Sequence, residues 1–412
     1  MPPVVSWTGV GGTGGRNQVD PQICFVALGP SAGKGASGLW KYGGAERLVV
    51  ILANWLAAQE RRVNLIGIEP AYWLDAGLDP SVPIIVPYRA DSGLPGLRSL
   101  HPRFTGTWGA MARANADVYV QSGAGYLTGI VGLYRRFNNR KMLFMVTSDT
   151  NVDPDRVKRH FKVAGRDRIA YSHGLRQADR VVVQTKWQQD MLGHHYHRGS
   201  VVIPQGLDLS SFLSIDRRTD EDGGSVLWIG RASRLKRPDL LLELARRHRK
   251  VPFIILMGPG DEPVYHDQIR REASELPNVE LFQSGTVDIV RIFARSALLV
   301  NTSETEGFPN TFIEAWASAM PVVTLACDPD EVICREGLGL HSRTLDQLSR
   351  DMVGLLADPL QRRAVGERAR AFARRSHDIR SVGPRYLELF RDLFELTSGT
   401  YPSDEASSMA KS

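Results

Sequence analysis

Short apolar runs rich in β-branched residues alternate along this chain with stretches of helical period, a pattern typical of βαβ units with parallel sheets. In the first half, such runs predict strands at Ile23–Leu28, Val63–Ile68, Val118–Val120, Leu143–Thr147, Val181–Val183 and Val201–Ile203. In the second half, they predict strands at Val226–Ile229, Phe253–Met257, Val279–Phe282, Leu298–Val300 and Val322–Leu325. We therefore expect an α/β fold with two doubly wound, Rossmann-like domains that face a central cleft.

A polar segment rich in Gly and Asp, SSFLSIDRRTDEDGGS, separates the two sets of strands. It predicts a linker at 207–223, between a first domain at 22–206 and a second domain at 224–379. The amphipathic stretch at 380–396 could pack back on the first domain, although its period does not identify its partner. The remaining ends, 1–21 and 397–412, are expected to be a flexible lead-in and a disordered tail.

Composition narrows the class of protein. A length of 412 residues favours two domains, and a hydrophobic content of 42% fits a globular chain. The sequence contains no apolar run long enough for a membrane span, and its start lacks the pattern of a signal peptide. Cys24, Cys327 and Cys334 are too few and scattered for a disulfide framework, so we expect a cytoplasmic protein. Because Cys327 and Cys334 lack zinc-site spacing, they are interpreted as core thiols.

Charge is distributed unevenly between the two halves. The net charge is +6, with about +10 in residues 1–200 and about −4 in the remainder. The segment Arg156–Arg168 is especially basic, and it either is a solvated face or contacts an anionic surface, such as the inner face of a membrane or a phosphate-bearing acceptor. Nucleic acid is disfavoured because the segment holds one aromatic residue and no recognised binding module accompanies it.

The stretch SETEGFPNTFIEAWASAMP at 303–321 follows a predicted strand and reads as a loop and a helix. Free N–H groups at a helix start suit an anionic phosphate. Glu306 and Glu314, on the loop and the helix, are better suited to accept hydrogen bonds from sugar hydroxyls, which indicates a sugar nucleotide. The alternative for Glu314 is an ion pair with an Arg of the fold, because a buried carboxylate needs a partner.

A second cluster of charge, GRASRLKRPD at 230–239, follows the first strand of the second domain. Arg231 and Lys236 lie on the predicted turn at the carboxyl end of that strand. Two cations there suit a diphosphate, since Arg can hold two oxygens at once and Lys acts as a point charge. The alternative is that they are surface charges paired with Asp239 or Glu243.

A glycine-rich run, GPSAGKGASGLWKYGGAERL, follows the first strand. It matches neither a P-loop nor the G-x-G-x-x-G pattern of a dinucleotide site. The backbone at Gly43 and Gly44 could approach a phosphate or an acceptor closely, and a mobile surface loop is the alternative.

Asp149 follows the strand Leu143–Thr147, where the carboxyl end of a parallel strand faces the cleft. It is a candidate for orienting an attacking hydroxyl or a donor sugar, and the alternative is a helix N-cap. We interpret His194, His195 and His197 as solvated loop residues. With no Asp-x-Asp motif in a metal-binding context, the sequence predicts no metal site.

These motifs together resemble those of a retaining GT-B glycosyltransferase of family 4, also described as glycosyl transferases group 1. The resemblance covers roughly 22–395 and depends on GGAERL (43–48), GRASRLKRPDLL (230–241) and EGFPNTFIEAWASAMPVV (306–323). It implies a GT-B fold and metal-independent transfer of a hexose-type sugar from a UDP- or GDP-sugar to a hydroxyl, with retention of configuration. The implied acceptor is a saccharide or a lipid-linked saccharide in cell-surface polysaccharide or glycolipid assembly.

The resemblance also implies roles for individual residues. Glu306 would contact the donor sugar, Glu314 the ribose, and Asp149 would act in catalysis. The diphosphate would be held by Arg231, Lys236 and the backbone at Phe308, Pro309, Asn310 and Thr311. The stretch Gly285, Thr286, Val287 would lie beside the base, and Gly43 and Gly44 beside the phosphate or the acceptor.

In one respect the chain departs from the family pattern: many relatives have a His before the acid that matches Asp149, and this chain has Ser148. Sugar contacts that depend on that His are therefore in doubt. The alternative functions are another GT-B enzyme, such as a sugar-nucleotide epimerase, and a non-catalytic subunit that binds nucleotide sugars. A phosphorylase would need a lysine placed for pyridoxal phosphate, for which no motif is found.

Overall fold

A computed structural model describes residues 20–29, 44–89, 92–93, 99–155, 157, 165–217, 224–260 and 262–398. The first domain contains a parallel sheet of strands β1 (Ile23–Val26), β2 (Val63–Ile66), β3 (Ile84–Ile85), β4 (Val118–Ser122), β5 (Lys141–Met145), β6 (Arg180–Val183) and β7 (Val201–Val202). Its helices are α1 (Gly44–Ala58), α2 (Pro70–Asp75), α3 (Thr105–Ala114), α4 (Tyr126–Asn138), α5 (Gly165–Gln177) and α6 (Lys186–Tyr196).

The second domain repeats this arrangement with a parallel sheet of strands β8 (Ser225–Arg231), β9 (Phe253–Gly258), β10 (Val279–Gln283), β11 (Ser296–Asn301), β12 (Val322–Thr324) and β13 (Gly339–His341). The helices that follow the first domain are α7 (Ser210–Leu213), α8 (Pro238–Arg247), α9 (Pro263–Ser274), α10 (Ile289–Ala294), α11 (Asn310–Ala317), α12 (Val332–Glu336), α13 (Leu345–Ala357), α14 (Pro359–Ser376) and α15 (Ile379–Ser398).

Each sheet is buried on both faces. Along β1, Ile23 and Phe25 pack into one hydrophobic cluster, while Cys24 and Val26 pack into the cluster on the opposite face. This alternation follows from the two-residue period of a strand. Because both faces are covered, the strands are almost continuously apolar, which is why the sequence pattern located them.

A strand lies at each position that the apolar runs predict, and two further strands were missed. These are β3, with 2 residues, and β13, with 3 residues. Both are edge strands, because the sheet orders are β3-β2-β1-β4-β5-β6-β7 and β10-β9-β8-β11-β12-β13. Pro83 and Pro87 flank β3, and β13 has a single apolar residue between Gly339 and His341, so neither forms an apolar run that predicts a strand.

Strand order reverses between β1 and β4 in the first sheet, and between β8 and β11 in the second. In doubly wound folds, ligands bind outside the carboxyl ends of the strands at such a switch point. The topology therefore provides two candidate crevices, one in each domain.

Part of the segment expected to be a linker belongs to the second domain's core. Leu209, Phe212 and Ile215 are buried against the second sheet, although polar residues surround them in sequence. Phe212 lies on the short helix α7, Leu209 lies directly before that helix and Ile215 lies just after it, and burial of all three side chains fixes the segment. Residues 218–223 of the predicted linker lie outside the described residues.

Helix α15 returns to the first domain and packs against α1. Tyr386 and Phe390 of α15 belong to the first domain's core. At Gly383 a Cβ would lie 2.5 Å from the indole of Trp55, so the close approach of the two helices requires glycine there. In the described helices, we find none that is both long and apolar enough to cross a bilayer.

Candidate active site in the interdomain cleft

Two turns at the second domain's switch point are tied together by hydrogen bonds. The hydroxyl of Thr302, after β11, donates to the carbonyl of Lys236, after β8, at 2.8 Å. The backbone N–H of Glu304 donates to the carbonyl of Leu235 at 2.9 Å, and the indole N–H of Trp228 donates to the Thr302 hydroxyl at 2.9 Å. The backbone that presents Lys236 is therefore fixed relative to the loop that presents the acids.

This arrangement brings together a cation and a carboxylate that are 70 residues apart in sequence. The Lys236 ammonium forms an ion pair with Glu306 Oε1. The Ser303 hydroxyl donates to the same oxygen at 2.7 Å. Only 21% of the Lys236 side chain and 14% of the Glu306 side chain are exposed, so the pair is partly shielded from solvent and is stronger than a surface ion pair.

Helix α11 begins beside this pair. Pro309 precedes its first residue, Asn310, and no described side chain caps this helix start. The preceding turn is anchored by Phe308, whose ring lies 4.7 Å from that of buried His377. The start of α11 therefore offers backbone N–H groups of Asn310 and Thr311 in a fixed position, as a phosphate would require.

Asp149 of the first domain faces Gly307 across the cleft. A Cβ on Gly307 would lie 3.5 Å from the Ser148 Cα and 3.8 Å from Asp149 Oδ1. The side-chain amide of Gln188 donates to that Oδ1 at 2.9 Å. The N-cap of the short helical turn Asp149–Asn151 is Ser148, whose hydroxyl accepts from the Thr150 N–H, so Asp149 is not itself the cap.

Glu314 pairs with an arginine, the alternative that its sequence context left open. Arg47 of α1 places its Nη2 2.7 Å from Glu314 Oε1, and the Glu314 side chain is fully buried. Burial raises the pKa of the Glu314 carboxyl, and the adjacent Arg47 partly offsets that rise. The ion pair joins the two domains, because Arg47 belongs to the first and Glu314 to the second.

The GGAERL motif thus lies against the start of α11. A Cβ on Gly44 would be 3.7 Å from the side-chain nitrogen of Asn310. Gly43 lies outside the described residues. Arg47 belongs to the same motif but was not singled out from sequence, and neither were Gln188 and Ser303. Arg47 and Ser303 both lie in motifs already quoted, which was a usable signal, whereas Gln188 carried none.

The other residues predicted to bind the donor substrate lie at the carboxyl ends of the strands in the second sheet. Arg231 is the exposed last residue of β8 and pairs in register with Gly258 of β9. The stretch 285–287 follows β10, two strands from β8. It turns through Gly285, with φ of 86°, and the Thr286 hydroxyl donates to the carbonyl of Gln283 at 2.7 Å. The side chain of Val287 packs on the second domain's core.

A cavity of about 310 Å³ lies at the first domain's switch point. It is lined mainly by segments that follow β1, β2 and β4, together with Glu46 at the start of α1. The Gln121 amide nitrogen donates to the carbonyls of Ser122 and Gly123, at 2.7 and 2.9 Å. Its carbonyl oxygen is buried and has no hydrogen-bond partner among the described residues. Sequence reasoning missed this cavity, although Gln121 and Ser122 end a buried strand.

A further contact joins the domains beside the cleft. The Asp330 carboxylate, after β12, accepts hydrogen bonds from the backbone N–H groups of Lys186 and Trp187, at 2.7 and 3.1 Å. These residues begin α6 of the first domain, where an anion is favoured by the helix dipole. Asp330 therefore helps to set the relative position of the two domains.

Two predictions from the sequence need correction, and a third concerns a segment that lies mostly outside the described residues. His194 and His195 belong to the last turn of α6 and not to a loop, although both are exposed as expected. Cys327 is a core thiol, but Cys334 is exposed, because α12 is a short surface helix. Most of the basic segment Arg156–Arg168 lies outside the described residues.

Comparison with known proteins identifies the class of the second domain and of the fold. Residues 223–358 match the family described as Glycosyl transferases group 1. A curated D-inositol 3-phosphate glycosyltransferase of Mycolicibacterium gilvum is 30% identical over 188 residues, or 41% of this chain and 42% of that protein. The chain spans about half, or less, of the length of the first such relatives.

Two solved structures show the whole fold. A glycosyltransferase from Rickettsia africae superposes with a TM-score of 0.70 at 15% identity, covering 91% of this chain and 99% of that one. Anabaena Alr3699/HepE, in complex with UDP-glucose, superposes with a TM-score of 0.71 at 16% identity, covering 90% and 100%. The predicted GT-B fold is thereby confirmed.

Proposed function

We propose that this chain, which has a GT-B fold and a second domain of the glycosyl transferases group 1, is a retaining glycosyltransferase of family 4. It moves a hexose-type sugar from a UDP- or GDP-sugar to a hydroxyl group. The observation that carries the proposal is the convergence of the Lys236–Glu306 pair, the start of α11 and Asp149 in one cleft.

The leaving group of such a reaction is a nucleoside diphosphate, which gains negative charge as the anomeric C–O bond breaks. Lys236, Arg231 and the N–H groups at the start of α11 provide positive charge and donors in fixed positions, the arrangement that stabilises such a transition state. In our proposal the chemistry requires no metal ion. The diphosphate competes with Glu306 for Lys236, so donor binding would loosen the ion pair and release the carboxylate toward the sugar.

Glu306 then accepts hydrogen bonds from the donor sugar, and Asp149 orients the attacking hydroxyl from the other side of the cleft. In a front-face mechanism, the departing phosphate oxygen accepts the proton of that hydroxyl, so no protein nucleophile is needed. Closure of the two domains would exclude water and limit hydrolysis of the donor.

The remaining donor contacts are also proposals. Glu314 accepts from the ribose hydroxyls while Arg47 balances its charge, and 285–287 lies beside the base. Because the ion pair links the domains, ribose binding at Glu314 would change the contact that Glu314 makes with Arg47 of α1. This offers a route by which the donor could favour the closed arrangement.

The cavity of the first domain is proposed as the acceptor site. Its volume of about 310 Å³ is at the lower end for small-molecule pockets and suits one sugar ring or a polyol. Glu46 and Ser122 line the cavity, and their side-chain oxygens can accept hydrogen bonds from hydroxyls. The name of the inositol phosphate relative supports a polyol acceptor, and a lipid-linked saccharide with peripheral membrane contact through the basic first half is the larger alternative.

The test begins with titration of UDP and GDP by calorimetry. Each UDP- and GDP-sugar is then incubated with polyol and saccharide acceptors, products are detected by mass, and the anomeric configuration is read by NMR. We expect one nucleotide to bind and its sugar to be transferred with retention. Binding without turnover of any donor would favour the non-catalytic subunit, conversion of a donor to its epimer would favour the epimerase, and inversion would contradict family 4.

A further inference from the structure

Three side chains with metal-binding chemistry meet on the second domain, in a cluster distinct from the Lys236–Glu306 pair. Asp328 follows β12, Cys334 lies on α12, and His341 ends β13. One potential ligand atom of each lies within 4.8 Å of the other two. In sequence these residues are separated by irregular spacings, so the cluster exists only because β12 and β13 are neighbours in the sheet.

Backbone hydrogen bonds fix the carboxylate beside the thiol. Asp328 Oδ1 accepts from the N–H of Ile333 at 2.7 Å, and Oδ2 accepts from the N–H of Cys334 at 3.2 Å. Each carboxylate oxygen keeps a lone pair for a further ligand. Because His341 belongs to a strand and Asp328 is held by two N–H groups, two of the three ligands are positioned by backbone and not by flexible side chains.

We propose that Asp328, Cys334 and His341 bind one divalent ion of the Zn²⁺ class. Sulfur and imidazole nitrogen favour Zn²⁺ over Mg²⁺ or Ca²⁺, which prefer oxygen ligands. Metal–ligand bonds of about 2.0–2.3 Å place tetrahedral ligands about 3.5 Å apart, so the observed separation closes with movements of about 1 Å. Three protein ligands leave a fourth position for water.

The ion would restrict the motion of the stretch 328–334, through which the second domain contacts helix α6 of the first. Asp328 and Cys334 are the ends of the stretch 328–334, and Asp330 in its middle accepts from the N–H groups of Lys186 and Trp187. Asp330 and Glu331 both adopt left-handed φ angles, 51° and 56°, which are strained for residues other than glycine. Tying both ends of this stretch would hold it in the conformation that contacts α6, independently of the transfer chemistry.

The first test uses the thiol itself as the reporter. Of the three cysteines, Cys334 is exposed and the other two are buried, so a thiol reagent such as DTNB should modify Cys334 in the untagged native chain. We expect Zn²⁺, at a one-to-one ratio, to protect Cys334 in the parent chain. In His341→Gln and Asp328→Asn the thiol should remain reactive and protection should fall at least tenfold, whereas the matched control His195→Gln should behave as the parent does.

Absorption by Co²⁺ gives a second readout. The parent chain with Co²⁺ should show the thiolate charge-transfer band, and Cys334→Ser should lose it. Equal labelling of Cys334 with and without Zn²⁺ in the parent chain would overturn the proposal. Protection of Cys334 in His341→Gln and Asp328→Asn that equals protection in the parent chain would also overturn it. Neither readout requires glycosyltransferase activity, so failure here leaves the proposed function standing.

The proposed consequence is tested by hydrogen exchange. Zn²⁺ should slow exchange of the peptide that contains Lys186 and Trp187 in the parent chain. It should have no effect on that peptide in Asp330→Asn, which keeps the three ligands but weakens the contact with α6. Unchanged exchange in the parent chain, despite protection of Cys334, would overturn the link to the domain contact.

Discussion

The crevices at the two switch points are lined by side chains of different charge and size. The second domain's crevice is charged: Lys236 pairs with Glu306, and the turns that carry them are tied by hydrogen bonds. The first domain's cavity is lined largely by glycine, alanine and other apolar residues, and its polar lining residues are Glu46, Gln121, Ser122 and Tyr126. The folds are alike, so the difference comes from the loops that follow the strands.

This difference matches the chemistry that we assign to each side. A diphosphate leaving group needs charge and donors fixed before the bond breaks. A neutral hydroxyl acceptor needs shape and a few hydrogen bonds, which loops can supply and vary. The comparison predicts that changes in the second crevice will affect nucleotide binding and the chemical step, whereas changes in the first will affect only the acceptor.

Glu306→Gln is expected to have the largest effect. The amide keeps the shape of the side chain but cannot balance Lys236 or accept as strongly from the sugar, so kcat should fall about 100-fold or more. UDP or GDP affinity, measured by calorimetry, should not fall, because the diphosphate no longer competes with a carboxylate for Lys236. Glu304→Gln, an acid of the same loop with 59% of its side chain exposed, is the matched control. Equal transfer rates in Glu306→Gln and the parent would remove Glu306 from the mechanism.

Arg47→Met tests the ion pair that spans the two crevices. Without Arg47 the buried Glu314 carboxylate loses its counter-charge, so its pKa, already raised by burial, rises further. A raised carboxyl pKa in the folded state means that stability is lost as pH rises through that pKa. Urea unfolding should therefore show a loss of ~3 kcal/mol at pH 8 and a smaller loss at pH 5. Glu314→Gln added to Arg47→Met should remove this dependence, and a loss independent of pH would contradict the assignment.

Lys236→Ala should weaken binding of UDP or GDP about tenfold, because one charge-assisted contact to the diphosphate is lost. Arg234→Ala is the matched control and should leave the affinity unchanged. Arg234 lies on the same turn as Lys236, but 70% of its side chain is exposed and its ion-pair partner is Glu262, on another segment. If Lys236→Ala binds nucleotide as tightly as the parent, its diphosphate role is refuted.

Gly125→Val should have the smallest effect and should act on the other crevice. A Cβ at Gly125 meets no atom of the described residues within 4 Å, so we expect the larger side chain to extend into the cavity. The acceptor KM should rise several-fold while nucleotide affinity stays constant, since the donor crevice is untouched. Gly199→Val, at an exposed glycine with equal room, is the control. A change in nucleotide affinity would show that the two crevices are not separate.

Much of the fold was predictable because its strands are buried on both faces. Each central strand is a short, mainly apolar run, and such runs are visible without tertiary information. The edge strands β3 and β13 were missed because prolines flank β3 and β13 has a single apolar residue. The core role of Phe212 was missed because the residues around it are polar.

The sequence by itself determined which elements form and which residues could carry the donor chemistry, since period and loop position specify both. Only the tertiary structure decided the partners: Arg47 for Glu314, Gln188 for Asp149, and Cys334 with Asp328 and His341. Arg47 and Glu314 belong to different domains, Gln188 and Asp149 follow different strands, and His341 lies on the strand after Asp328 and Cys334. Their proximity follows from strand order and domain packing, which depend on the energy of the whole chain and leave no local pattern.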